Sequence, residues 1–142
     1  MQFGVDIPFV RLLGFELTRF EGGQSEITYD VAPEHENSFG VAHGGACMTL
    51  LDVSMATAAR SVHPDLGVVT IEMKTMFMQP ARGCLTAKGR LMHRTATMAF
   101  TEATVYDSHG RACAHSTGTF KYVKRLPPGP AGVNQLKVIS TD

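Results

Sequence analysis

The chain is predicted to fold as one α+β domain, a long central helix wrapped by a curved antiparallel sheet of about six strands. Three observations predict it. The hydrophobic period is two in most of the chain. One segment, residues 44–60 (GGACMTLLDVSMATAAR), is instead small or apolar on every side and lacks proline. Strand-like segments come in runs, two before that helix and four after it. Consecutive strands pair antiparallel, and a helix apolar all round has to be covered, which for a single helix requires a sheet that curves around it. A length of 142 residues suits one domain.

Each element has its own signal. Residues 7–14 (IPFVRLLG) read as a short helix or turn, with Pro8 near the start and Gly14 at the end. Phe15 and Leu17 then alternate with Glu16 and Thr18. Glu21-Gly22-Gly23 supplies a turn, and Ile27, Tyr29 and Val31 alternate with polar neighbours, which makes a hairpin. Residues 33–41 are loop-like and lead into the helix. After it come four period-two segments, VVTIEMKTMFM, CLTAKGRLMHR, MAFTEATVYD and ACAHSTGTFKYV. Turn signals separate them at 79–83, 95–97 and 107–110. Residues 1–125 are read as a single domain. Beyond them, 126–142 are read as a Pro/Gly-rich, peripheral tail that suits extended chain better than a seventh strand.

Thirteen Lys plus Arg balance thirteen Asp plus Glu, so the net charge is zero. That argues against nucleic acid or anionic lipid as a partner, since both are held by a surplus of cations. With 44% hydrophobic and 18% charged residues, a sparsely charged surface points to self-association. Cys47, Cys84 and Cys113 are odd in number and widely spaced, without a C-x-x-C pair, as expected of reduced thiols in the cytoplasm. The first twenty residues show no basic n-region, and no stretch is long and apolar enough for a membrane span. No His spacing suggests a metal site, and no cofactor is expected.

Asp52 is the sharpest chemical signal. It is the only charged residue between His43 and Arg60, and an unpaired buried carboxylate costs several kcal/mol. It either serves a reaction, or caps a neighbouring element or pairs with a buried Arg. His43-Gly44-Gly45 is the second signal: glycines opening a buried helix leave N–H groups clear to hold an oxyanion, or they form only a tight turn. His43 and Asp52 are nine positions apart. On an ideal helix that separates them by about 13.5 Å and about 180°. Both can serve one reacting atom only if Asp52 comes from a second subunit, so a shared site requires a two-fold dimer.

The stretch N-S-F-G-V-A-H-G-G, the Asp nine residues after the His, and a strand ending in M-Q-P-A-R resemble the hotdog-fold acyl-CoA thioesterases of the phenylacetate-degradation (PaaI-like) type. The resemblance covers roughly residues 8–123. It implies hydrolysis of acyl-CoA or aryl-acyl-CoA to a carboxylate and free CoA. Asp52 matches the family's catalytic carboxylate, general base or nucleophile. Gly44 matches the residue whose N–H polarises the thioester carbonyl, and Asn37 and His43 match the pair that positions the thioester. Thr70 falls where some members orient the water, on the strand parity of Glu72 and Lys74. Phe77, Met78, Gln79, Pro80 and Arg82, together with His93 and Arg94, fall where the family holds CoA. The resemblance also implies a homodimer with one continuous sheet, and two dimers forming a tetramer.

Among seven basic residues that could meet CoA phosphates (Arg82, Lys88, Arg90, Arg94, Lys121, Lys124 and Arg125), Arg82 and Arg94 are the preferred pair. The eight Met residues read as core filler or an adaptable acyl pocket, and no Cys reads as a nucleophile. Two other functions fit part of the pattern. One is a hotdog-fold enoyl-CoA hydratase or dehydratase, separable by following thiol release. The other is a non-catalytic acyl-CoA binding protein, which would tolerate replacement of Asp52.

Overall fold

A computed structural model describes residues 3–126 and 135–138. Helix α1 (Pro8–Leu13) has Pro at its first position, which needs no N–H there, and stops on Gly14 at φ 77°. Strands β1 (Glu16–Glu21) and β2 (Gln24–Asp30) are joined through Gly22 and Gly23 at φ 57° and 80°, as a two-residue hairpin turn demands. A single 3-10 turn, Pro33–His35, interrupts the loop before α2 (Gly44–Arg60). Strands β3 (Leu66–Phe77), β4 (Cys84–Arg94), β5 (Met98–Tyr106) and β6 (Ala112–Leu126) follow.

The sheet runs β1-β2-β4-β5-β6-β3, antiparallel throughout, and α2 lies against one face of it. Leu50, Leu51, Met55 and Ala59 of the helix are fully buried against Ile27, Leu85, Phe120 and Tyr122 of the strands. Two glycines let the helix come this close. A Cβ at Gly89 of β4 would sit 2.4 Å from the Ser54 carbonyl oxygen and 2.6 Å from Ser25 Oγ. At Gly118 of β6 it would press on the Met55 thioether. The Ser25 hydroxyl donates to the Ser54 carbonyl (2.6 Å) and the Tyr122 hydroxyl to the Ala59 carbonyl (2.8 Å), tying two turns of helix backbone to the sheet. Each such bond contributes about 1 kcal/mol net.

Two expectations need adjustment. A short strand β7 (Gln135–Val138) lies within the segment read as tail and pairs with β6 from Val123 to Leu126. The β5 ladder ends at Lys121 and β3 occupies the other side of β6, so β7 fills the stretch of edge that β5 leaves open. Residues 127–134 and 139–142 lie outside the described part. The long helix is also not covered on all sides within one chain. Gly45, Met48, Thr49, Asp52, Val53 and Ala56 form a stripe at helical spacing that stays partly or fully open. Strand β3, twelve residues long, is the edge of the sheet beside it, with Ile71, Met76 and Phe77 about half exposed.

Candidate functional site

The start of α2 is built by local hydrogen bonds that single out one N–H. His43 is the N-cap, and its Nδ1 accepts the Gly45 N–H at 2.9 Å. The His43 carbonyl accepts from Ala46 and Cys47. Gly44 N–H is left as the donor of the first turn without a protein acceptor among the described residues, at the positive end of the helix dipole. The cap is held in place by the preceding loop. His43 N–H donates to the His35 carbonyl (2.8 Å), and His35 Nδ1 meets the hydroxyl of fully buried Tyr29 at 2.6 Å. The sequence offered no periodicity from which this role of His35 could be read.

Gly44 opens on a cavity of about 380 Å³ that Asn37 also lines, with Phe77, Met78, Gln79 and Pro80 forming one wall. Five residues that the sequence nominated, from two separate stretches, therefore meet Gly44 here. The Phe77 ring comes within 3.5 Å of where a Gly44 Cβ would be. Asn37 Oδ1 accepts from the N–H groups of Phe39 and Val41, which commits its oxygen and leaves its amide nitrogen as the group able to donate. Arg82 is exposed and follows Ala81 of the cavity wall. Cys47 and Cys113 line the same cavity, but burial pushes the Cys47 thiol up to about 11 and raises Cys113 as well, so neither is a ready nucleophile.

Asp52 lies elsewhere. Its Oδ1 accepts a 2.6 Å hydrogen bond from the Thr70 hydroxyl, and it lines a second cavity of about 360 Å³ on the open stripe of α2. Burial raises its carboxyl pKa above the usual range, and the Thr70 bond pulls partly the other way. Asp52 does not pair with the buried Arg60, which donates instead to the Phe3 carbonyl and stacks on Phe20. Burial and the nearby Arg125 push Arg60 down to about 10.

The Thr70 contact corrects the strand parity inferred from sequence. A β-bulge at Ile71 interrupts the β3–β6 register, so Thr70 pairs with Phe120 and Glu72 with Thr119. Paired residues share a face. Thr70 therefore points with Phe120 toward the helix, while Glu72 points away and accepts from the Thr119 hydroxyl. Met73, opposite Gly118, returns to the helix side and joins Thr70 beside Asp52.

Arg94 and His93 stand apart from both cavities. The Arg94 guanidinium lies 5.1 Å over the Tyr122 ring, whose hydroxyl reaches Ala59, and His93 is exposed and stacks on Phe100. Ala59 is fifteen positions beyond Gly44, about 22 Å along the helix. Within one chain, then, the structure gathers Asn37, Gly44 and residues 77–80 at one place, Asp52 and Thr70 at a second, and His93 and Arg94 at a third.

Comparison with known proteins identifies the family. Residues 39–114, more than half the chain, match the family model described as the thioesterase superfamily. A protein of Saccharolobus solfataricus, provisionally named an esterase, is 27% identical over 116 residues, 81% of this chain and 82% of its own length. The structure of a conserved protein from Pseudomonas aeruginosa superposes with a TM-score of 0.79 at 28% identity, over 84% of this chain and 96% of that one. The PaaI protein of the E. coli phenylacetic acid degradation operon shares the fold at 20% identity, with a TM-score of 0.77 over 82% of this chain and 84% of that one. Helix, sheet and sequence match thus agree: the chain belongs to the thioesterase superfamily, with the hotdog fold, and is a thioester hydrolase.

Proposed function

We propose that the protein hydrolyses acyl-CoA thioesters at two sites between the subunits of a homodimer, with Gly44 from one chain and Asp52 from the other. The observation that carries this is the separation of the two groups. The free Gly44 N–H and the Asp52 carboxylate open on different cavities, about 12 Å apart along one helix. A thioester carbonyl is about 1.2 Å long and needs donor and base around the same carbon. The open stripe of α2 and the unpaired edge of β3 support a partner that covers both. A second copy pairing β3 to β3 across a two-fold axis would extend the sheet and bring the helices side by side.

In this reading the Gly44 N–H donates to the carbonyl oxygen as negative charge develops on it. The Asn37 amide and His43 fix the thioester. Asp52 acts as general base: it takes a proton from water as the oxygen adds to the carbonyl carbon. The C–S bond then breaks, and the proton passes to the departing CoA sulfur. The raised Asp52 pKa makes it a stronger base than an exposed carboxylate, and the Thr70 hydroxyl on Oδ1 leaves Oδ2 for the water. Arg82, beside the cavity at Gly44, is the cation we assign to the CoA phosphates. Water is the co-reactant, and no cofactor enters the scheme. The pairing of dimers into a tetramer belongs to the same proposal. Among the described residues no helix is long and apolar enough to cross a membrane, and the three cysteines are free, which supports a reducing cytoplasmic setting.

Mixing two inactive variants tests the shared site. Asp52→Asn and Asn37→Ala are each expected to lower CoA release by about 10³-fold. Co-expressed, they assemble mixed dimers holding one intact site, and activity returns to about one quarter of wild type. No recovery in verified mixed dimers would rule out a site shared between chains.

A further inference from the structure

We propose that Phe9 of α1 sets which acyl groups the enzyme accepts: the acyl group lies in the apolar cavity beside Asp52, and Phe9 forms the outer wall of that cavity. This rests on the reading of Asp52 as the hydrolytic carboxylate, and it assigns function to an element outside the residues nominated above.

Three elements far apart in sequence build the cavity: Phe9 and Val10 from α1, Met48 and Val53 from α2, and Met73 from β3. Thr49 and Asp52 are its only polar lining residues among the described residues, and both are engaged. The Thr49 hydroxyl donates to the Gly45 carbonyl at 2.8 Å, and Asp52 Oδ1 accepts from Thr70. An acyl group ending in a carboxylate would lose its hydration there against methyl and thioether groups and would meet the charge of Asp52. The occupant is therefore an uncharged hydrocarbon group.

Phe9 differs from the other walls. Helix α1 is anchored by Val10 and Leu13, both buried in the core, while Phe9, immediately before Val10, is 54% exposed. Its ring also lines the smaller cavity beside His43, so it divides the space next to the carboxylate from the space next to the cap. Met48 and Met73 are unbranched thioethers that adapt to different shapes. The aromatic ring on the short helix is the rigid wall, and its size limits the acyl group.

The test compares CoA release from butyryl-CoA, decanoyl-CoA, phenylacetyl-CoA and glutaryl-CoA by wild type, Phe9→Ala, Phe9→Trp and Asp52→Asn. Wild type is expected to prefer phenylacetyl-CoA over glutaryl-CoA by about 100-fold in kcat/KM. Phe9→Ala should move the decanoyl-to-butyryl ratio about 10-fold toward decanoyl, and Phe9→Trp should move it the opposite way. A ratio of substrates on one preparation is independent of how much of it is folded. Ratios unchanged in both Phe9 variants, or glutaryl-CoA turned over as well as phenylacetyl-CoA, overturn the inference alone if Asp52→Asn is inactive. Full turnover by Asp52→Asn overturns the reading of the site, and this inference with it.

Discussion

On the side of α2 that faces the sheet, Leu50, Leu51, Ser54, Met55 and Ala58 are buried, and even a backbone carbonyl is in contact with a strand. On the other side Met48, Thr49, Asp52 and Val53 line an open cavity. The two faces lie roughly half a rotation apart on one helix, and they follow different rules. The inner face is fixed by volume, with glycines placed where a methyl group would not fit. The outer face places a carboxylate among apolar groups, at a cost to stability, and holds it with one hydroxyl. Packing determines where the helix lies, and the less well packed side is the one to which the proposed function assigns the chemistry.

The contrast is broken most directly from the inner side. Gly89→Ala would set a Cβ against the Ser54 carbonyl at 2.4 Å and force the helix off β4. A loss of about 3 kcal/mol is expected, read as a fall in Tm of about 10 °C, and activity should fall with it because Asp52 rides on the displaced helix. A Tm within a degree or two of wild type would mean the close approach is not a constraint.

On the outer side the sign reverses. Asp52→Asn should stabilise the protein while removing activity, by about 1 kcal/mol at pH 8. The folded state holds the Asp52 proton more tightly than the unfolded chain does. Stability therefore falls as pH rises from the unfolded pKa to the raised folded one, and remains lower above that window. Asn has no such loss, so the advantage of the variant should be present at pH 8 and shrink at pH values below the window. Thermal melts at the two pH values check this, and an equal offset at both would remove the carboxylate as its cause.

The smallest effect is expected outside both faces. Arg82→Ala should raise KM for acyl-CoA about 5-fold at low salt and less at high salt, because the side chain is exposed and its field is screened. A salt-independent change would place Arg82 in a different role.

Much of this was legible before the structure. The bounds of α2 coincide with the run of small and helix-forming residues, and the Gly22-Gly23 turn marked its hairpin because only glycine tolerates two positive φ values there cheaply. Asp52 and Gly44 stood out because each breaks a local expectation: a charge on an apolar helix, and a flexible residue opening it. What could not be read were contacts made only by folding. Ile71 is an ordinary strand residue, so nothing in V-V-T-I-E-M-K announced a bulge there. Phe9 joins the cavity at Asp52 across 42 intervening residues, and a six-residue helix carries too few apolar positions to show which way it faces. Strand β7 follows a Pro/Gly-rich stretch that resembles a terminus, and it forms on an edge that only the unequal lengths of β5 and β6 create.

The bulge has a further consequence, for how the two half-sites can vary. Thr70 steadies Asp52 and Phe77 walls the Gly44 cavity, and both side chains come from β3 on the helix side. They are seven residues apart, an odd interval, and a regular strand would send them to opposite faces. The extra residue acts as a phase shift between two otherwise regular stretches. In the proposed dimer, one stretch belongs to the base lent to the neighbouring site, the other to the chain's own helix start. Removing Ile71 alone would leave Thr70 and Phe77 six residues apart, an even interval that a regular strand sends to one face, so both would still point to the helix without the bulge. With the bulge retained, other insertions or deletions between Thr70 and Phe77 keep both side chains on the helix side only if they change the length of β3 by an even number of residues.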